Sequence, residues 1–372
     1  MRHLQTKKNQ GVFDALSRHV AKPPAHPFIR TRSVTITVHR VEIASSMELV
    51  CDFTLLTEPV ESPIVDSLLP LNLVDLELFH NFTTATYATL CNDHASRNIW
   101  KNAIARRATG SEFVMQALLS VSALDMSKYR PERKHHYLSH AIAYHDHASR
   151  QASTLMTQMH PENLEDLWIF SVLTMYFALG SPQTPNVPFE VGQNLLPEWV
   201  FLFNGVHHIF NALHVMPYSG ILSPIIKHGT DRWNLSHRPE NESATTLSEL
   251  SANIEETVHD EKELGIYRHA IHELKFQLNM VLTSHSHDLD IMDAFVWHFA
   301  MAEDYIPLLQ QGKQEAVAIF AHSLIIFNAV NRSTWLYGWD TILLARSYDV
   351  LDYQHRLWIQ WPIEEIGWVP PY

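Results

Sequence analysis

The sequence has 372 residues, 46% of them hydrophobic and 10% aromatic, which is enough apolar material for a sizeable buried core. Its 11 glycines and 18% charged residues exclude a collagen-like repeat and argue against a long disordered tract or a coiled-coil rod. The formal net charge is −13, yet residues 1–40 hold eight Lys/Arg against Asp14 alone, so the remainder carries 19 basic and 39 acidic side chains and should repel a phosphate backbone.

The prolines Pro23, Pro24, Pro27, Pro59 and Pro63 mark residues 1–65 as a basic, mostly irregular extension. Within it, Ser33 to Ile43 alternates apolar and polar residues with a strand-like period and has no predicted partner strand. From Leu73 the apolar spacing becomes helical. A first helix carries Leu73, Leu76, Leu78, Phe79, Phe82 and Tyr87 and ends near Cys91; a second covers about 96–108 and stops before Gly110. Ser111 reads as the N-cap of a third, and Pro131 opens a fourth that runs to about Met159. Pro161 and Glu162 start a fifth, which is apolar almost all round from Leu167 to Leu179 and is expected at the centre of the fold.

Residues 180–195 read as a proline-rich crossing loop, and 199–215 as the next helix. The stretch 216–242 reads as a surface excursion or a lid. Two helices are expected over 246–283, separated near Gly265, followed by helices over 290–302, 315–330, 335–351 and 353–361. The fold class is therefore all-α: an orthogonal array of roughly ten helices around one core, with residues 66–372 as a single domain. Two cysteines, Cys51 and Cys91, are too few for a disulfide framework, and no apolar run is long enough for a membrane span, so an intracellular protein is expected.

Three stretches carry a family resemblance: LNLVDLELFHNFTTATYATL (71–90), FVMQALLSVSALDMSKYRPERKHHYLSHAIAYHDHASRQA (113–152) with ENLEDLWIFSVLTMYFALG (162–180), and residues 295–344 leading to WPIEEIGW (361–368). They resemble the regulatory domain of fungal six-cysteine zinc-cluster transcription factors, especially the sterol uptake control subgroup. The resemblance implies an all-helical domain with an apolar cavity, able in the sterol-sensing members to hold a sterol and pass its occupancy to promoter activity. It also implies a nuclear or cytoplasmic regulator of lipid, sterol or secondary-metabolite genes. The six cysteines that hold two zinc ions in those factors have no counterpart here, so no direct specific DNA binding is expected. The partners implied are an apolar small molecule such as a sterol or terpenoid, or a full-length transcription factor.

Candidate chemistry is sparse. Glu132, His136 and His140 share one helical face, but the face is charged and solvated, and the metalloprotease pattern is absent. Asn241, Thr245 and Glu249 have the spacing of a magnesium-binding triplet in terpenoid cyclases, and Asp290 lies in an acidic turn; these are weak metal candidates, with Asp290 better read as a helix N-cap. No phosphate loop, nucleophile elbow or dinucleotide fingerprint appears, so no catalytic residue and no cofactor is assigned. The alternative to a regulator is an enzyme of fungal secondary metabolism, for example a terpenoid cyclase, on the same scaffold. Aromatic residues on the apolar helices suit an apolar pocket, with Val206, Phe210, Trp297 and Trp339 as its expected wall.

Overall fold

Side-chain caps at Asn72, Asp93, Asp260 and Asp352 mark four of the helix starts. Asn72 caps the first helix by accepting from the amides of Val74 (3.1 Å) and Asp75 (3.4 Å), and Asp260 caps a later one through the amides of Lys262 and Glu263. Ser111 occupies the predicted N-cap position, but its side chain makes no capping bond. The computed structural model describes residues 72–181, 206, 209, 218–238, 247–285, 288–330 and 333–371.

Helices α1 (Leu73–Thr84), α2 (His94–Asn98), α3 (Ala105–Ala108), α4 (Glu112–Tyr129), α5 (Lys134–Met156) and α6 (Leu164–Gly180) form the first part of the domain. A π-helical stretch, Ile99–Ile104, joins α2 to α3, so the predicted second helix is one helical run with a local bulge. Then come α7 (Ser223–Ser236), α8 (Ser248–Thr257), α9 (Glu261–Thr283), α10 (Asp293–Ala300) and α11 (Ile306–Gln310). The last four are α12 (Gln314–Ala329), α13 (Trp339–Val350), α14 (Tyr353–Trp358) and α15 (Gln360–Ile366). There is no strand among the described residues, and the all-α expectation holds.

Two helices organise the packing. Helix α4 lies against α1, α5 and α6, and α12 against α9, α10, α11, α13, α14 and α15. Both are buried on every side, over Ala117–Ser127 and Ala316–Phe327 respectively, and α6 is nearly so, as its unbroken apolar sequence predicted. Each fully buried Leu or Phe in this core stabilises the fold by roughly 1.5–3 kcal/mol relative to exposure. Because apolar packing alone tolerates sliding, buried hydroxyls on α4 fix its register. Ser120 Oγ donates to the Ala141 carbonyl of α5 (3.0 Å), and Ser122 Oγ to the Leu78 carbonyl of α1 (2.7 Å).

Three expectations change. The chain does not break at Gly265, which lies inside α9; the interruption comes at Val258–Asp260, where Asp260 caps the new helix. Residues 216–242 are not simply a loop or lid, since Ser223–Ser236 is α7, with Pro224 in its first turn where the missing amide hydrogen has no intrahelical partner. The helix predicted from 335 starts at Trp339, after Gly338, whose φ of +78° is a conformation suited to glycine. The segment 33–43, the 65/66 boundary and most of 182–217 lie outside the described residues.

Candidate functional site

The residues singled out from sequence fall at two kinds of place. Trp297, on α10, is fully buried; its indole nitrogen donates to the Ala270 carbonyl of α9 (3.0 Å), and its ring meets Tyr305 edge-on at 5.3 Å. Trp339, at the start of α13, is buried and donates to the Leu179 carbonyl of α6 (3.0 Å). Val206 is helical and buried, whereas Phe210, Asn241 and Thr245 lie outside the described residues. Glu249 is exposed in the first turn of α8. Among the described residues no group of three or more His, Cys, Asp or Glu side chains is placed to hold a metal ion, and His136 and His140 instead meet edge-on at 4.6 Å.

Trp339 and Asp290 belong to a seam where residues 72–181 meet residues 218–371. At one end, Gly180 lets α6 approach Trp335, because a Cβ there would stand 2.6 Å from the indole. The Trp335 indole donates to Thr89 Oγ1 (2.9 Å), and Lys128 spans the same contact, with its ammonium 3.8 Å over the Trp335 ring and 3.0 Å from the Thr334 carbonyl. Tyr176 donates to the Leu90 carbonyl from inside the core.

At the other end, Asp290 accepts the amides of Met292 (2.9 Å) and Asn92 (3.0 Å), while Asp293 accepts the Asp290 amide (2.8 Å). Asp290 closes the turn that precedes α10 and ties it to the turn before α2, while the N-cap position expected at Asp290 falls at Met292, which makes no side-chain capping bond. Burial works against the Asp290 charge, but the His228 ring and the two amides outweigh it and hold the carboxyl below its ordinary range. Nearby Cys91 is buried and pushed up to about 12, first by burial and then by the Asp290 charge, so it is an unreactive thiol.

Helix α7 supplies side chains that sequence reasoning passed over. Arg232 holds Asp293 in a two-pronged ion pair and donates to the Asp288 carbonyl (3.2 Å). His228 Nε2 lies 3.3 Å from Asp290 Oδ2. His237, just past the helix end, faces Glu273 of α9 at 2.7 Å. The signal available was Pro224 followed by Ile225 and Ile226, a helix opening hidden among the Ser, Gly and His residues that suggest a loop.

Ser236, His237 and Glu273 adjoin in the order of a catalytic triad, but the geometry is not that of an activated nucleophile. Ser236 is fully buried, its hydroxyl donates to the Trp233 carbonyl (2.8 Å), and it receives Gln277 Nε2 (2.9 Å). The seam as a whole is a set of directional polar contacts set into one continuous hydrophobic core.

Residues 77–211 match the model of the fungal specific transcription factor domain. The chain is similar to fungal transcription factors. One relative is a Zn(2)-C6 fungal-type transcription factor of Gibberella zeae, 22% identical over 320 residues that cover 78% of this chain and 61% of the relative. Another is the Zn(2)-C6 fungal-type transcription factor afumD of Aspergillus fumigatus, 21% identical over 256 residues, 68% of this chain and 67% of the relative. The chain thus spans about three fifths of the first relative's length. The matched segment begins within α1, takes in α2 to α6 and continues to residue 211.

Proposed function

We propose that this chain is a ligand- or partner-responsive regulatory domain of a fungal transcription regulator, controlling lipid, sterol or secondary-metabolite genes from the nucleus. The observation that carries the reading is the match of residues 77–211 to the fungal specific transcription factor domain. In this reading Val206, Phe210, Trp297 and Trp339 border an apolar site for a sterol or terpenoid, and residues 66–372 form one domain preceded in sequence by the extension 1–65. A full-length transcription factor is the partner with which the domain pairs in this reading. Among the described residues no helix is long and apolar enough to cross a membrane.

Native mass spectrometry of the purified chain, with organic extraction of whatever travels with it, tests the ligand arm. The expected result is a sterol- or terpenoid-sized adduct that Trp297→Ala weakens. A chain that stays free of lipid when offered sterols and terpenoids, and that pairs with no zinc-cluster factor, would remove the reading.

A further inference from the structure

Helix α7 touches both parts of the domain: it packs on α2 from the first, and on α9 and α10 from the second. Besides the buried Ile225 and Ile226 and the Gln277–Ser236 hydrogen bond, three charged or titratable side chains fasten it. Arg232 supplies a permanent cation toward Asp293, but the other two, His228 and His237, carry charge only when protonated.

The surroundings of His237 fit an imidazolium. Nδ1 lies 2.8 Å from the Trp233 carbonyl and Nε2 lies 2.7 Å from the Glu273 carboxylate. A neutral imidazole has one N–H and can serve only one of these acceptors, whereas the cation serves both. The ring lies against the Trp233 indole, with centroids 4.2 Å apart, and against Phe276 at 4.7 Å, and aromatic faces favour a cation. It also sits at the C-cap of α7, the negative end of the helix dipole.

The charged groups around the helix act in both directions. From α2 and its cap, Asp93 favours charge on His228; from the turn before α10, Asp290 does so more strongly, while Arg232 on the same helix opposes it. Asp293 is occupied by Arg232, and Lys227 pairs with Asp231 on the exposed side. From α9, Glu273 faces His237 and is shared with His269, whose Nδ1 lies 3.8 Å away, while His272 meets the edge of Phe276. Burial disfavours the charged form of both His228 and His237, yet the carboxylates outweigh it and both imidazoles keep their proton above the ordinary histidine range.

We propose that α7 is a proton-operated clasp between the two parts of the domain: protonated His228 and His237 fasten it to the 288–293 turn and to α9, and losing those protons frees it. The sign follows from linkage. A histidine whose folded pKa is raised contributes stability that is complete below its unfolded value and is lost as pH rises through the folded one. The clasp is therefore shut at low pH and opens as pH rises through the folded values of the two histidines.

Hydrogen exchange followed by mass spectrometry on the full chain at about pH 6 and about pH 8, corrected for the intrinsic pH dependence of exchange, reads this directly. Peptides from α7 should lose protection by roughly tenfold at the higher pH, while peptides from α4 and α12 hold theirs. In the double variant His228→Asn, His237→Gln the α7 peptides should no longer respond to pH. Equal α7 protection at the two pH values, or a response retained in the double variant, overturns the clasp. Because the variant's packing can itself suffer, histidine-ring NMR titration of the unmodified chain provides an independent check: both imidazoles should titrate above about 6.5, and either one titrating at or below that value overturns the proposal.

Discussion

At the scale of single residues, histidine plays opposite parts in different places. His298 and His322 are buried within the core, each donating Nδ1–H to the carbonyl four residues earlier (2.9 and 2.8 Å), and burial lowers both to about 4. They fold as neutral rings. A histidine with a depressed folded pKa leaves stability intact above its unfolded value and removes it as pH falls below that value. Each should cost roughly 2 kcal/mol by about pH 5. Urea midpoints measured at about pH 7 and pH 5 should therefore fall on acidification, and replacing His322 by Gln should shrink that fall. The place of Trp297 on an apolar helix was legible in the sequence, because the residues around it are apolar at helical spacing. His228, Arg232 and His237 were not, because a pairing across tens of residues leaves no local pattern.

At the scale of elements, what the sequence conveyed depended on how local the determinant was. Helix α6 could be read from its apolar run, and the starts of α1 and α2 follow from Asn72 and Asp93, whose side chains accept from the amides of the first turn. Gly265 misled because glycine punctuates helices on average, yet here the flanking residues Leu264 and Tyr267 are buried and packing carries the helix through. A Cβ added at Gly265 would meet nothing within 4 Å, so the glycine has no steric reason to be there. Gly265→Ala should stabilise the domain by about 0.5–1 kcal/mol in chemical denaturation, with an unchanged slope. A destabilised variant would show that α9 is strained at this point. Helix α7 was missed for the converse reason: its exposed face is polar and its surroundings rich in turn formers, so its burial is decided by partners on α2, α9 and α10.

At the scale of the whole molecule, the domain is organised around two buried helices, α4 and α12, with a seam of polar contacts between the residues that surround them. The family match begins within α1, takes in α2 to α6 and ends before α7, while the similarity to the Gibberella zeae factor extends over 78% of the chain. A regulatory domain needs its parts coupled but not fused, and directional hydrogen bonds across a seam provide discrete contacts that a ligand, partner or proton can make or break. The most direct test of regulatory function joins the 372-residue chain to an unrelated DNA-binding domain in a fungal reporter strain. The fusion should change reporter output at least several-fold relative to the DNA-binding domain alone, and the change should depend on sterol or terpenoid supply. An abundant, folded fusion whose output matches that of the bare DNA-binding domain under every supply condition would contradict it.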